Sequence, residues 1–162
     1  MNRVEHLKKV NLFQDLVNHP VALESIAQVM DEKIFKKGVN IITEGEAGSE
    51  FFILIQGAAS VFKKTAEGDP YKVAIMNGDQ HPFFGEGALL DSDARSATIR
   101  AEDECHCLVL SREHFDQIGI QHPDWCLPVM RRISRVVMGR FKKANHDLLM
   151  LYHALVSEIR GG

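Results

Sequence analysis

The 162-residue sequence is poor in the features that mark several common protein classes. It has three cysteines, an odd and small number, so no disulfide framework is implied and a reducing, cytoplasmic setting is the simplest reading. No apolar run reaches the ~18 residues of a membrane-spanning helix. The charged opening Met1-Asn2-Arg3-Val4-Glu5-His6 lacks the apolar stretch of a signal peptide. Neither sign of charge is in excess, and a net −3 gives no global attraction to nucleic acid or to an anionic membrane. A nucleotide-hydrolysing glycine loop with its lysine is missing, and no Ser-His-Asp or Cys-His arrangement follows from spacing. The chain is therefore read as a non-enzyme without a cofactor. The eight histidines are scattered, without the His-x-His plus glutamate grouping of metal-binding jelly rolls.

What is present fits one soluble globular domain with a full core. Between Val10 and Met30, apolar residues sit at helical spacing in two sets, Leu12/Phe13/Leu16 and Leu23/Ile26/Ala27/Met30, separated by Asn18-His19-Pro20. This predicts two short helices. From about 34 to 110 short β-rich runs alternate with glycine turns: Asn40–Thr43, Phe51–Ile55, Ala59–Phe62, Tyr71–Met76, Thr98–Ala101 and Cys107–Leu110. Such a run of short strands predicts a sandwich or roll rather than a parallel α/β sheet. Ser111 is a candidate helix N-cap. A long helix is expected over about 122–160, with Pro128 in its first turn. Along it Val137, Phe141, Ala144, Leu148, Leu151 and Leu155 recur at steps of four and three, the seam spacing of a coiled coil.

Residues 84–98, Phe-Gly-Glu-Gly-Ala-Leu-Leu-Asp-Ser-Asp-Ala-Arg-Ser-Ala-Thr, hold the parts of an anion site. Gly85 and Gly87 permit close backbone approach. Gly87–Leu90 can form a short helix whose free N–H groups face an anion. Arg95 can hold a phosphate in bidentate fashion. Glu86 would repel that phosphate, so it needs a hydroxyl donor, such as a sugar hydroxyl. The alternative is that Glu86 and Arg95 simply pair with each other.

This segment resembles the phosphate-binding cassette of the cyclic-nucleotide-binding domains of catabolite activators, kinase regulatory subunits and gated channels. The matching residues are Phe84-Gly85-Glu86, Ala88-Leu89-Leu90 and Arg95-Ser96-Ala97-Thr98, with Gly38, Gly45 and Gly57 at the turn positions and Val10–Leu16 as the leading helix. The resemblance implies an α+β fold: a double-stranded β-roll, jelly-roll-like, flanked by short N-terminal helices and a long C-terminal helix. It implies a nucleotide-binding domain over 1–145, with the 122–160 helix as lid and dimerisation element.

It also implies a site of Gly85, Glu86, Gly87, Ala88, Arg95, Ser96 and Ala97. Glu86 would accept from the ribose 2′-hydroxyl and Arg95 would pair with the cyclic phosphate. The backbone N–H groups of Gly87, Ala88 and Ser96 or Ala97 would complete the cradle, and Val61 and Ile75 would line the base or ribose. The ligand implied is cAMP ahead of cGMP, since serine at 96 occurs in cAMP binders of the catabolite-activator type. Arg140 or Phe141 is placed to stack on the base, with Phe141 otherwise a core or seam residue. The sequence departs from the family in the longer Gln80–Phe83 connection, in Gly87, and in Asp91 and Asp93, read as solvated.

The implied function is a sensor that couples ligand binding to movement of the C-terminal helix, acting on an unknown effector and dimerising through that helix. The alternative for the stripe is packing on its own roll. No helix-turn-helix is expected after the long helix. Two further functional readings stand beside this one: an interaction module that has lost its ligand, and a cupin-type metalloenzyme, which the missing histidine cluster disfavours. Cys105-His106-Cys107 is read as core cysteines flanking an outward histidine, not a metal site. Arg131–Lys143, with six basic residues and no acidic one, is read as a solvated helix face.

Overall fold

The structure, a computed structural model, describes residues 2–91 and 94–161. Three short helical segments lead the chain: α1 (Arg3–Leu7), a 3-10 segment (Asn11–Leu16) and α2 (Pro20–Gln28). Asn2 caps α1 by accepting from the Val4 N–H, and Pro20 opens α2, where its missing N–H costs nothing. The segment around Leu12 and Phe13 is thus a 3-10 turn rather than a full helix, α1 adds an element the spacing did not signal, and Met30 lies beyond α2.

Eight strands follow: β1 (Asp31–Phe35), β2 (Asn40–Ile42), β3 (Glu50–Gln56), β4 (Ala58–Lys64), β5 (Pro70–Asn77), β6 (Phe83–Phe84), β7 (Thr98–Ala101) and β8 (Cys105–Ser111). They form two four-stranded antiparallel sheets, ordered β1-β8-β3-β6 and β2-β7-β4-β5. The strands explain their own composition. In β3, Phe51, Ile53 and Ile55 enter the core shared with the helices, while Phe52 and Leu54 enter the interior of the roll. A strand buried on both faces reads as an unbroken apolar run. In β8, Cys105, Cys107 and Val109 face the roll interior and Leu108 and Leu110 the helical side. Burial pushes the Cys107 thiol up to about 12 and raises that of Cys105, so both behave as apolar core groups. His106 points out, between Glu32 and Glu104.

Gly38, Gly45 and Gly57 all have positive φ, as expected of residues that turn the chain between strands. At Gly57 a side chain is excluded twice over, because a Cβ would also sit 2.3 Å from the Glu104 carbonyl.

After β8 the Ser111 hydroxyl caps α3 (Arg112–Gln121) by accepting from the His114 N–H. The last element, α4 (Pro123–Gly161), is one unbroken helix of 39 residues. It starts at Pro123, so Pro128 lies in its second turn and leaves the Asp124 carbonyl without that helical donor. The first part of α4 packs on α3 and on the 3-10 segment, with Val129 and Ile133 buried. Arg132 clamps it there, donating to both carboxylate oxygens of Asp15 at 2.7 and 2.9 Å and to Asn11 at 2.7 Å. Arg132 in turn holds the Asp15 carboxyl below its usual range. Two of the basic residues between 131 and 143 therefore have specific partners, Arg132 here and Arg140 below. Beyond Ile133 no described residue of α4 is buried. Phe141 is 57% exposed and is not a core residue. Among the described residues no helix is long and apolar enough to cross a membrane.

Candidate ligand-binding pocket

A cavity of about 590 Å³ opens between the roll, the 84–97 segment and α4. Its back wall is mostly apolar, built from Ile42, Val61, Met76 and Ile99 with Lys63 at its margin, and its rim carries Gly85–Ala88, Ala94–Ala97, Val137 and Arg140. All seven residues singled out from the sequence, Gly85, Glu86, Gly87, Ala88, Arg95, Ser96 and Ala97, line it.

Val61 lines the cavity but Ile75 does not. Ile75 lies opposite Ser60 and is 58% exposed, on the outer face of its sheet. Met76, opposite Ala59, shares the inner face with Val61 and takes the place expected of Ile75. A bulge between the Val61 and Phe62 pairings offsets β5 against β4.

Backbone geometry sets the cassette. The Gln80–Phe83 connection runs through a 3-10 turn (Gly78–Gln80) and His81, which holds φ 49°. It is pinned on both sides: the Leu54 N–H donates to the Pro82 carbonyl at 2.9 Å, and the His81 ring bonds that of His6 at 2.7 Å. Phe84 then stacks on Phe52 at 5.3 Å between ring centres. Gly85, at φ 73°, turns the chain into a 3-10 helix over Glu86–Leu89. In that turn the Ala88 N–H donates to the Gly85 carbonyl at 3.0 Å. Arg112 donates to the Ala88 carbonyl at 2.7 Å and tethers the far end of the turn to α3. Asp91 is exposed and outside the cavity; Asp93 lies outside the described residues.

Arg95 comes from the other limb of the segment. That limb is stitched to the 45–47 loop: the Arg95 N–H donates to the Glu46 carbonyl at 2.8 Å, the Gly45 N–H to the Arg95 carbonyl at 2.9 Å, and Ala94 bridges Ala47. The guanidinium donates to the Glu50 carbonyl at 2.7 Å and the Gly85 carbonyl at 3.3 Å, over the Phe52 ring. Two glycines make room for it, since a Cβ at Gly48 would stand 2.5 Å, and one at Gly85 2.7 Å, from its nitrogens. Burial lowers its pKa, opposed by the charges of Glu50 and Glu86. Arg95 is thus a partly buried cation held by neutral carbonyls, able to take an anion.

Glu86 does not pair with Arg95. Its side chain is only 8% exposed and accepts from Arg140 of α4, which is 62% exposed. The sequence raised Arg140 as a base-stacking group; the structure gives it a carboxylate partner. Sequence reasoning also missed Gly48 and the Glu50 carbonyl, whose contributions are empty space and a backbone oxygen. Among the described residues no group of three or more His, Cys, Asp or Glu is placed to hold a metal ion.

Residues 32–122, more than half of the chain, match the family model of the cyclic nucleotide-binding domain. The cGMP-dependent protein kinase 2 of Homo sapiens is 39% identical over 112 residues, which are 68% of this chain and 14% of that protein. The chain therefore spans a small part of the length of this curated relative. Among solved structures, the catabolite activator protein of Thermus thermophilus superposes with a TM-score of 0.74 at 23% identity, covering 86% of this chain and 62% of that one. The regulatory domain of Toxoplasma gondii PKA with cAMP gives 0.71 at 24% identity, covering 84% and 48%. At these identities the two structures speak for a shared fold, a β-roll carried between short helices and a long one. The cavity, its cassette and the family match agree, and the chain belongs to the cyclic nucleotide-binding domain family.

Proposed function

We propose that this chain is a non-catalytic sensor that binds one cyclic nucleotide in the cavity and passes the event to α4. The observation that carries the reading is the separation of charges on one cavity wall. Arg95 is held by carbonyls and available to a phosphate, while Glu86 is buried and accepts from α4 rather than from Arg95. The phosphate sits against Arg95 and the amides of Gly87 and of Ser96 or Ala97. The Ala88 amide joins when the 3-10 turn releases Gly85. The ribose 2′-hydroxyl donates to Glu86, and the base lies against Val61 and Met76. cAMP is the preferred ligand: among the described residues the back wall adds only Lys63 to its apolar side chains, a donor that cannot accept from the extra N–H groups of guanine, and Ser96 supplies a single hydroxyl. The curated relative is named for cGMP, so cGMP is the second reading.

Coupling runs through Arg140. The carboxylate of Glu86 has lone pairs for both the hydroxyl and the guanidinium, and the incoming phosphate adds a second negative charge near Arg140. Ligand therefore strengthens the hold on α4, and by reciprocity a held α4 strengthens ligand binding. The signal passes to an effector protein in the cytoplasm, and the α4 seam joins two copies. Calorimetry with cAMP and cGMP tests the reading. Saturable one-site binding with cAMP tighter is the expected result. Tighter cGMP would install the second reading, and silence from both at millimolar ligand would leave a protein-interaction module that has lost its ligand.

A further inference from the structure

The loop that leads into the cassette hangs on a bond between two imidazoles. His6 Nδ1 and His81 Nε2 lie 2.7 Å apart, with the rings stacked at 5.0 Å between centres. His81 Nδ1 stands 3.2 Å from the Asp79 carbonyl. A carbonyl only accepts, so that nitrogen carries the proton of the neutral ring and leaves Nε2 to accept. His6 Nδ1–H is therefore the donor, and donation runs from α1 through His81 to the Asp79 carbonyl.

The two ends of this clip differ in firmness. α1 is a fixed support: Arg3 donates to the Met30 carbonyl at 2.7 Å and to the Ala27 carbonyl at 3.3 Å, and Leu7 is fully buried. The loop is the strained end. His81 is 7% exposed yet holds φ 49°, a left-handed torsion that a residue with a side chain keeps only where its surroundings fix it. Two residues on, Phe83 packs on Phe51 at 5.8 Å between ring centres, and Gly85 and Glu86 of the cavity rim follow directly.

The bond is sensitive to protons. His6 is half-buried, and a proton on it meets the repulsion of His81, Lys9 and the amino terminus. Glu32 of β1, which also faces His106, opposes them. Burial first, and then these charges, hold the His6 pKa below its usual value. A second proton on the pair takes the lone pair of His81 Nε2 and removes the acceptor. The docked clip thus binds protons less readily than free rings in water, and acid favours its opening.

We propose that His6 and His81 are positioning residues of the nucleotide site, joined as a proton-sensitive clip. Closed, it holds the 80–83 loop so that Gly85 and Glu86 face the ligand; opened by acid, it releases that loop and weakens nucleotide binding. This rests on the proposed nucleotide site and adds a support for it outside the cavity. By reciprocity, nucleotide closes the clip and drives protons off.

Calorimetry of the full chain with cAMP at pH 7.5 and 5.5, together with amide NMR of the ligand-free chain across the same range, tests the clip. The wild-type Kd should be about threefold to fivefold higher at pH 5.5. The Phe83–Glu86 amide resonances should shift with the midpoint of the His6 ring. His6→Ala should show the weaker affinity already at pH 7.5 and a flat profile. His81→Gly removes the other ring without straining the turn, since glycine accepts a φ of 49°, and should do the same. A wild-type Kd equal at the two pH values, or a slope that survives in both variants, overturns the clip. Amides that ignore the His6 midpoint overturn it whether or not nucleotide binds. If cAMP and cGMP both fail to bind while those amides follow His6, the clip stands and the nucleotide reading falls.

Discussion

Gly48→Ala adds one methyl group beside the proposed phosphate anchor. Gly48 does not have a positive φ, so alanine fits the backbone without strain. The new Cβ would stand 2.5 Å from Arg95 Nε and Nη2 and 2.7 Å from Cζ, where ordinary contact begins at 3.4 Å. The guanidinium must therefore move by about one ångström, and a shift of that size breaks the 2.7 Å bond from Nη2 to the Glu50 carbonyl. A hydrogen bond to a charged group is worth about 1.5–3 kcal/mol. Misplacing the cation that meets the phosphate should cost the ligand a similar amount, roughly a tenfold to hundredfold rise in Kd. The fold should lose much less, about 1 kcal/mol or under, because the tip of a flexible arginine can relocate. Titration calorimetry with cAMP and a thermal melt on the same protein read the two quantities. A Kd within threefold of wild type would refute the reasoning. So would a stability loss as large as the binding loss, since the methyl would then be disturbing the roll rather than the anchor.

Gly139→Ala is the matched control. It lies on α4 outside the cavity lining and a Cβ there meets nothing within 4 Å, so calorimetry should give an affinity within threefold of wild type, with a melt unchanged or raised by up to about 1 kcal/mol in stability. Arg95→Ala should weaken binding by about 3–5 kcal/mol, because the phosphate loses its cation in a partly buried site; near-wild-type affinity would put the phosphate elsewhere. Arg140→Ala should weaken ligand binding about twofold to fivefold, the scale of a partly exposed ion pair. It should also abolish any ligand-induced gain in amide-exchange protection over 135–143; a preserved gain would send the coupling through another contact. The His6 pKa lies below its usual value, first because of burial and then because of His81 and Lys9, with Glu32 opposing. The neutral ring is thus the form that the fold favours. Its contribution is complete above pH 6.5 and is lost as the pH falls through and below that value. The melting temperature should fall between pH 7.5 and 5.5, and His6→Asn should flatten that profile.

The cassette was legible because its chemistry is local. Glycines, a carboxylate and an arginine within 15 residues state a problem that few ligands solve. The turns were legible too, since Gly38, Gly45 and Gly57 all adopt the torsions that glycine permits. What stayed hidden depends on distance in the chain or on backbone alone. Gly48 matters as an absence of atoms, and the Glu50 carbonyl is a backbone acceptor that no side chain advertises. The Glu86–Arg140 pair joins residues 54 apart. Ile75 was misplaced because a pairing shift is invisible to alternation, which tells neighbours apart but not which of them faces in. The 3-10 segment at Asn11–Leu16 has the apolar spacing of a helix but is only six residues long, too short to separate the two periods. Phe84 belongs to a two-residue strand, below any usable pattern.

The length of α4 has a mechanical consequence. About 20 residues extend past Arg140, which at 1.5 Å per residue makes an arm of roughly 30 Å. Its near end is clamped by Arg132 and touched by Glu86, both close to the fulcrum. A tilt of about 10° at that fulcrum would carry the far end sideways by roughly 5 Å, close to the pitch of one helical turn. The proposed coupling would thereby turn a small rotation beside the cavity into a stroke as large as a side chain at the far end of the helix.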